Sequence, residues 1–451
     1  MREKRRGDLS CSAASVRAAS CIGASLVVLV VSALTPAVSC ADDAERFLLP
    51  NGLTFIARES DANDIVSLAI FMRMGSAYEP DSEAGYSNLT ARLILKGTQS
   101  LNAQDIANGI ESVGARINAY AGKEVGVISL EATREGFGPA VDILLDVLKD
   151  TSFPDEEVAQ EKSMVLKEIG ARSDRLLATA FDLFYETLFE GHPFHKPALG
   201  YAQTISNFDR ADATRYYGMF FRPSNMVWAA VGNFDSKELL EKIRKTFLMF
   251  GGSLEKPKPI EAKPVELVSA KQSTRVRETK ATWFVLGYRA PGLGEKGYGT
   301  LKVLDAVLGG SMDSRLSTEL RDKRGLAYQV GSTEGGYVSS NFLAAYMGTK
   351  GDQFEVAWKG VLNEIDRVKA DGVTSEEVER TKSYLQGNYV ISLETNFRQA
   401  YLMALYESLG LGYKFGDLYI EDIKNTTPEL VKDLAVKICG NYCLSAILAK
   451  Q

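Results

Sequence analysis

The chain has 451 residues, with 52 Lys plus Arg against 58 Asp plus Glu, a formal charge of −6, 45% apolar residues and 24% charged ones. That length holds two or three domains with full cores, and the composition excludes both global disorder and a multi-span membrane protein. The negative balance offers no electrostatic footprint for DNA or RNA, and two histidines, His192 and His195, leave little material for metal ligation or imidazole chemistry.

A basic start, Arg2 to Arg6, precedes the uncharged, mostly apolar run Ile22–Leu34, which is too short to span a bilayer as a helix. Pro36 breaks the run, and Ser39-Cys40-Ala41 supplies the small residues of a cleavage site. Residues 1–41 read as a secretory signal, which predicts export, to the periplasm in a bacterium. A retained anchor or lipidation at Cys40 are the alternatives. Removing the segment takes away five basic and two acidic residues and leaves a mature charge of −9. Cys11, Cys21 and Cys40 leave with it. The two remaining cysteines, Cys439 and Cys443, flank the turn signal Gly440-Asn441, and the spacing in an oxidising compartment predicts a disulfide.

Val66–Met74 reads as a near-continuous apolar strand. Ser100–Val113 reads as a helix, with Asn102 as its cap, Asp105 at the third position, and Ile106, Ile110 and Val113 on one face. Ala115–Tyr120 and Val125–Ala132 form a hairpin around Ala121-Gly122-Lys123-Glu124. The most informative feature is a repeat. Glu156-Glu157-Val158 recurs as Glu376-Glu377-Val378 at an offset of 220. The helix Arg210–Phe221 and the strand Met226–Val231 recur as Pro428–Ile438 and Cys443–Leu448, at an offset near 216. Gly251-Gly252-Ser253 with Pro257, Pro259 and Pro264 interrupts any regular element. The expected organisation is therefore a signal at 1–41, an N-terminal half at 42–250, a linker at 251–266 and a C-terminal half at 267–451. The expected fold class is α+β, with two homologous halves, each an antiparallel-rich sheet with helices packed on one face.

Gly75-Ser76-Ala77-Tyr78-Glu79, followed by Gly85 through Lys96-Gly97-Thr98, resembles the insulinase-like zinc peptidases, which include pitrilysin and mitochondrial processing peptidase. The resemblance covers about residues 45–451. It implies a helix whose two zinc histidines and glutamate base would fall at Asn88, Ala91 and Arg92 here, and a third ligand at Glu168. Ala91 cannot take a proton, Asn88 is a poor zinc ligand, and Arg92 brings a permanent positive charge. No metal is expected in this chain, and Glu168 is expected to pair with Arg92 or to stand solvated. His192 and His195 have H-x-x-H spacing, but Pro193 and Pro197 make their segment a loop and no acidic partner accompanies them.

The C-terminal half retains another family feature. Arg321, followed seven residues later by Tyr328, matches the arginine and tyrosine that the resemblance implies for substrate binding in the active chamber. A guanidinium fork and a phenol both donate hydrogen bonds to a peptide carbonyl. Asn118-Ala119-Tyr120 resembles the family's substrate-pairing edge strand, but it lies in the half that lacks the zinc residues and reads as an ordinary sheet edge. The expectation is a non-catalytic, substrate-binding subunit of a two-chain zinc metalloendopeptidase. Its partner would be a homologous H-x-x-E-H chain that carries the zinc, and its substrate a peptide or unfolded segment. The alternative is an enzymatically dead scaffold of the same fold.

Overall fold

A computed structural model describes residues 43–248, 254–261 and 266–450. The expected signal segment and Cys40 lie outside the described residues. The first half runs β1 (Glu45–Leu48), β2 (Thr54–Glu59), β3 (Ile65–Arg73), α1 (Tyr86–Leu93), α2 (Ala103–Ser112), β4 (Arg116–Ala121) and β5 (Val125–Thr133). It continues with α3 (Arg134–Asp150), α4 (Asp155–Ser173), α5 (Leu176–Leu188), α6 (Ala202–Asn207), α7 (Arg210–Phe220), β6 (Met226–Gly232) and α8 (Ser236–Phe247). The second half begins with β7 (Lys271–Arg277), β8 (Ala281–Ala290), α9 (Tyr298–Asp305), β9 (Gln329–Glu334) and β10 (Asn341–Lys350). It ends with α10 (Phe354–Asp371), α11 (Ser375–Ser392), α12 (Asn396–Ser408), α13 (Phe415–Lys424), α14 (Pro428–Ile438) and β11 (Cys443–Ala449).

The repeat in the sequence is a repeat in space. The first sheet has strand order β1-β2-β6-β3-β5-β4 and the second β7-β11-β8-β10-β9, so each strand of the second has a counterpart in the first. In both, the last strand of the half lies beside the first long strand, parallel to one neighbour and antiparallel to the other. Local signals set the helix starts. Asn102 accepts from the Asp105 amide while Asp105 returns the bond, and Thr374 and Glu377 do the same at α11. α1 and α9 both begin after a left-handed glycine, Gly85 and Gly297.

Each half packs its own helices on one face of its sheet, as expected, and a helix of the other half covers the second face. In β3, Val66, Leu68, Ile70 and Met72 face the main first-half core, while Ala69 and Phe71 point the other way. That second face, with Ile56, Val127, Val227 and Val231, is covered by Ala400, Met403 and Ala404 of α12, a helix of the second half. The exchange is reciprocal: α5 of the first half lays Ala180, Leu183 and Phe184 on Val285, Phe342, Ala344 and Ile447 of the second sheet. Burial on both faces is why β3 and β8 read as continuous apolar runs.

The expected disulfide is absent. Cys439 and Cys443 are both free and buried. Cys439 ends α14 within the second-half core, whereas Cys443 opens β11 facing α5 on the opposite side of the sheet. Burial pushes the Cys439 thiol up to about 12 and the Cys443 thiol up to about 11. Native protein should therefore resist iodoacetamide and give two alkylated cysteines only after denaturation; an oxidised pair in mass spectra would contradict this arrangement.

Candidate functional site

α1 is set by a buried carboxylate. Glu79 accepts from the Gly85 amide at 2.9 Å and the Ser87 amide at 2.6 Å, satisfying donors at the helix start. Burial raises its pKa, opposed by those two bonds and by Lys196. Lys196, itself fully buried, donates to the Glu79 carbonyl at 2.5 Å and to Asp81 at 3.1 Å. One loop, 192–200, is thereby pinned to the segment that starts the helix.

The positions implied for zinc all lie on or beside this helix. Asn88 is buried and donates to the Ala121 carbonyl of β4 at 2.8 Å; its Oδ1 is buried without a hydrogen-bond partner. Ala91 is 2% exposed and packs in the core. Arg92 reaches across to α4, where its Nη1 and Nη2 donate to Glu168 at 3.0 and 2.8 Å and its Nε contacts Glu161 at 2.6 Å. Lys96 approaches the other Glu161 oxygen at 3.4 Å. The Arg92 fork holds the Glu168 carboxyl below its ordinary range.

These residues do not fit zinc. Ala91 has no donor atom, Asn88 offers only a neutral amide oxygen where zinc takes imidazole, thiolate or carboxylate, and a guanidinium fills the space between α1 and Glu168. Among the described residues no group of three His, Cys, Asp or Glu side chains is placed to hold a metal. Glu161 was the unforeseen member. Its seven-residue separation from Glu168 puts both on one helix face, which was the available signal.

Glu161 is 2% exposed, whereas Glu168 is half-exposed. Glu161→Gln should therefore cost about 2–3 kcal/mol, by leaving Arg92 and Lys96 short of a buried counter-charge. Glu168→Gln should cost no more than about 1 kcal/mol. Urea unfolding of the two variants checks the order, and equal losses would contradict it.

His192 and His195 belong to the pinned loop. His192 Nδ1 accepts from the Phe194 amide at 3.1 Å, and His195 Nδ1 lies 2.8 Å from the His192 carbonyl. Contrary to the sequence reading, His195 has an acidic neighbour, with Nε2 3.6 Å from Asp81, but no second carboxylate joins it among the described residues, and both rings serve loop geometry.

Arg321 and Tyr328 lie apart from α1, in the second half. Ser317–Lys323 is a helical stretch with the wide i→i+5 turn, a form enriched at functional sites. Buried Leu320 and Leu326 anchor it, and Gly325, with φ 60°, ends it. Arg321 Nε donates to Asp322 at 2.9 Å. The Tyr328 amide donates to the Gly348 carbonyl of β10, fixing the backbone, while the side chain is 61% exposed. No hydrogen bond or ring contact joins Arg321 to Tyr328 among the described residues. Tyr120 sits on β4, the outermost strand of the first sheet, and is exposed there.

The family model described as insulinase, peptidase family M16, matches residues 55–201, and the one described as the peptidase M16 inactive domain matches residues 207–385. The chain belongs to the insulinase (M16) peptidase family. A protein of Mycobacterium tuberculosis named as an uncharacterized zinc protease is 31% identical over 353 residues, 77% of this chain and 80% of the relative. One of Rickettsia bellii bearing the same description is 29% identical over 392 residues, 86% of this chain and 90% of the relative. Among solved structures, a protease from Helicobacter pylori superposes with TM-score 0.84 at 19% identity, covering 90% of this chain and 99% of that one. A peptidase M16 inactive domain from Pseudomonas fluorescens gives 0.82 at 19% identity, covering 91% and 99%. These two show the two-half M16 fold. No described helix is long and apolar enough to cross a membrane.

Proposed function

We propose that this chain is the non-catalytic, substrate-binding subunit of a two-chain zinc metalloendopeptidase, supplying Arg321 and Tyr328 to a chamber shared with a homologous H-x-x-E-H subunit. The observation that carries the reading is the contrast between two places in one fold. At α1, Asn88, Ala91 and the Arg92–Glu168–Glu161 cluster are knitted into the structure, leaving no ligand pair and no base for water. At the start of β9, the backbone is fixed but the Tyr328 phenol remains open to solvent. Similarity to proteins named as zinc proteases supports a peptide as the substrate. In this reading zinc resides in the partner, and the chain acts after export, once residues 1–41 are removed.

Arg321 and Tyr328 would donate to the carbonyl of a bound peptide and to the negative charge that develops on it. Arg321 is held now by Asp322, so peptide binding would have to draw it away. That same ion pair favours a second reading, in which the chain is an inactive scaffold or peptide-holding protein.

Metal analysis and a peptidase assay of the purified mature chain test the non-catalytic assignment. The expected result is no stoichiometric zinc and no cleavage. About one tightly held zinc per chain, lost on Glu168→Gln, would overturn it.

A further inference from the structure

At the seam where α5 and the loop after it meet the second sheet, the Arg289 fork has two buried donors without an acceptor among the described residues. Arg289 stands near the end of β8, on the sheet face that α5 covers, opposite Phe342 of β10. Its guanidinium carbon lies 4.7 Å from the centre of the Phe189 ring. Both Nη atoms are buried and neither has a hydrogen-bond partner. Burial alone pulls its pKa down, to about 10, with no neighbouring anion acting in the opposite direction. Arg289 as a whole is only partly buried, but two buried donors left without an acceptor are costly, and a guanidinium presents them in a fixed fork.

The neighbours sharpen the point. His192 packs on the same Phe189 ring, with centroids 5.7 Å apart. Because its Nδ1 accepts from the Phe194 amide, its proton sits on Nε2, and the ring is a donor there. The two nearby ammonium groups already have acceptors. Lys123 donates to the carbonyls of Phe194 and Lys196, at 2.7 and 2.6 Å, and lies over the Tyr185 ring. Lys196 is held by Asp81 and the Glu79 carbonyl. The positive field of this cluster is felt by His192, which burial first, and then Arg289, Lys123 and Lys196, hold down at about 4. Arg289 is thus the cation of this cluster whose fork donors lack an acceptor among the described residues, in an aromatic surround.

We propose that Arg289 holds a small monovalent anion of the halide class at this seam. A single negative charge suits this partly buried seam, since a divalent oxyanion costs far more to take out of water. Apolar surroundings favour a weakly hydrated anion over a strongly hydrated one, because it costs less to desolvate. Bound there, the anion would stabilise the contact between α5 and the second sheet, and so the interlock of the halves.

The test is thermal unfolding of the full mature chain in sodium gluconate, with chloride or bromide substituted at constant ionic strength. The wild type should gain about 2 °C, saturably, because ligand binding to the folded state alone raises its stability. Arg289→Met, which keeps the stem and removes the charge, should lose that response and be at least as stable as the wild type in gluconate. Chloride NMR line broadening by the wild type, displaced by bromide, gives the same answer if the variant fails to fold. Equal unfolding temperatures and line widths in every salt would overturn the proposal, as would a response that survives in Arg289→Met. A response to sulfate or phosphate in place of halide would overturn the monovalent assignment.

Discussion

Produced separately, residues 43–250 and residues 254–450 should each fail to give a cooperatively folded monomer, and the two expressed together should recover one. Without α12 the first sheet exposes Ile56, Phe71, Val127, Val227 and Val231 on one face. At about 1.5–3 kcal/mol for each buried side chain, that loss is on the order of 10 kcal/mol, comparable to the whole stability of a domain. Without α5 the second sheet exposes Val285, Phe342 and Ile447 in the same way. Within the intact chain, Phe71→Ala should cost about 3–5 kcal/mol although it lies outside the principal core of its half. Circular dichroism, sizing and denaturant titration read the outcome. A single half that is monomeric and unfolds cooperatively would show that the exchanged helices are ornaments on self-sufficient domains.

The exchange also marks where the sequence stops being legible. Periodicity and capping residues carry local information, so the capping box at Asn102, the β4–β5 hairpin and the paired elements of the two halves could be read directly. The apolar stripe of α5, with Ala180, Leu183 and Phe184, says that the helix must be covered, but nothing in it says by which sheet. Sheets with each half's own helices on one face were therefore readable, whereas the crossing of α12 and α5 to the other half's sheet was not. The cysteines failed for a related reason. A separation of four residues spans a short loop, yet here the loop carries the chain from beneath the sheet into it, and Cys443 emerges on the far face. At α1 the chemistry of Asn88, Ala91 and Arg92 was legible from residue type alone. The burial of Glu161, which makes it the stronger anchor of Arg92, depends on how α1 and α4 pack.

If Arg321 and Tyr328 act on a peptide held between this chain and a zinc-bearing partner, their loss should be felt as the partner's loss of activity. Tyr328→Phe removes one donor and leaves the ring, and removing one oxyanion-type donor costs roughly 100- to 1000-fold in turnover. Arg321→Ala should raise KM as well as lower kcat, because a charged fork positions the peptide in addition to stabilising charge. Exposure of Tyr328 and the short-range pairing of Arg321 with Asp322 mean that neither change disturbs the core. The decisive measurement is peptide cleavage by the H-x-x-E-H subunit mixed with wild-type chain or with Tyr328→Phe, after sizing has shown equal assembly. The account predicts that the wild-type chain supports cleavage and that the variant, fully assembled, is slower by about two orders of magnitude. Equal rates from the two assembled mixtures would contradict it and leave the scaffold reading in its place.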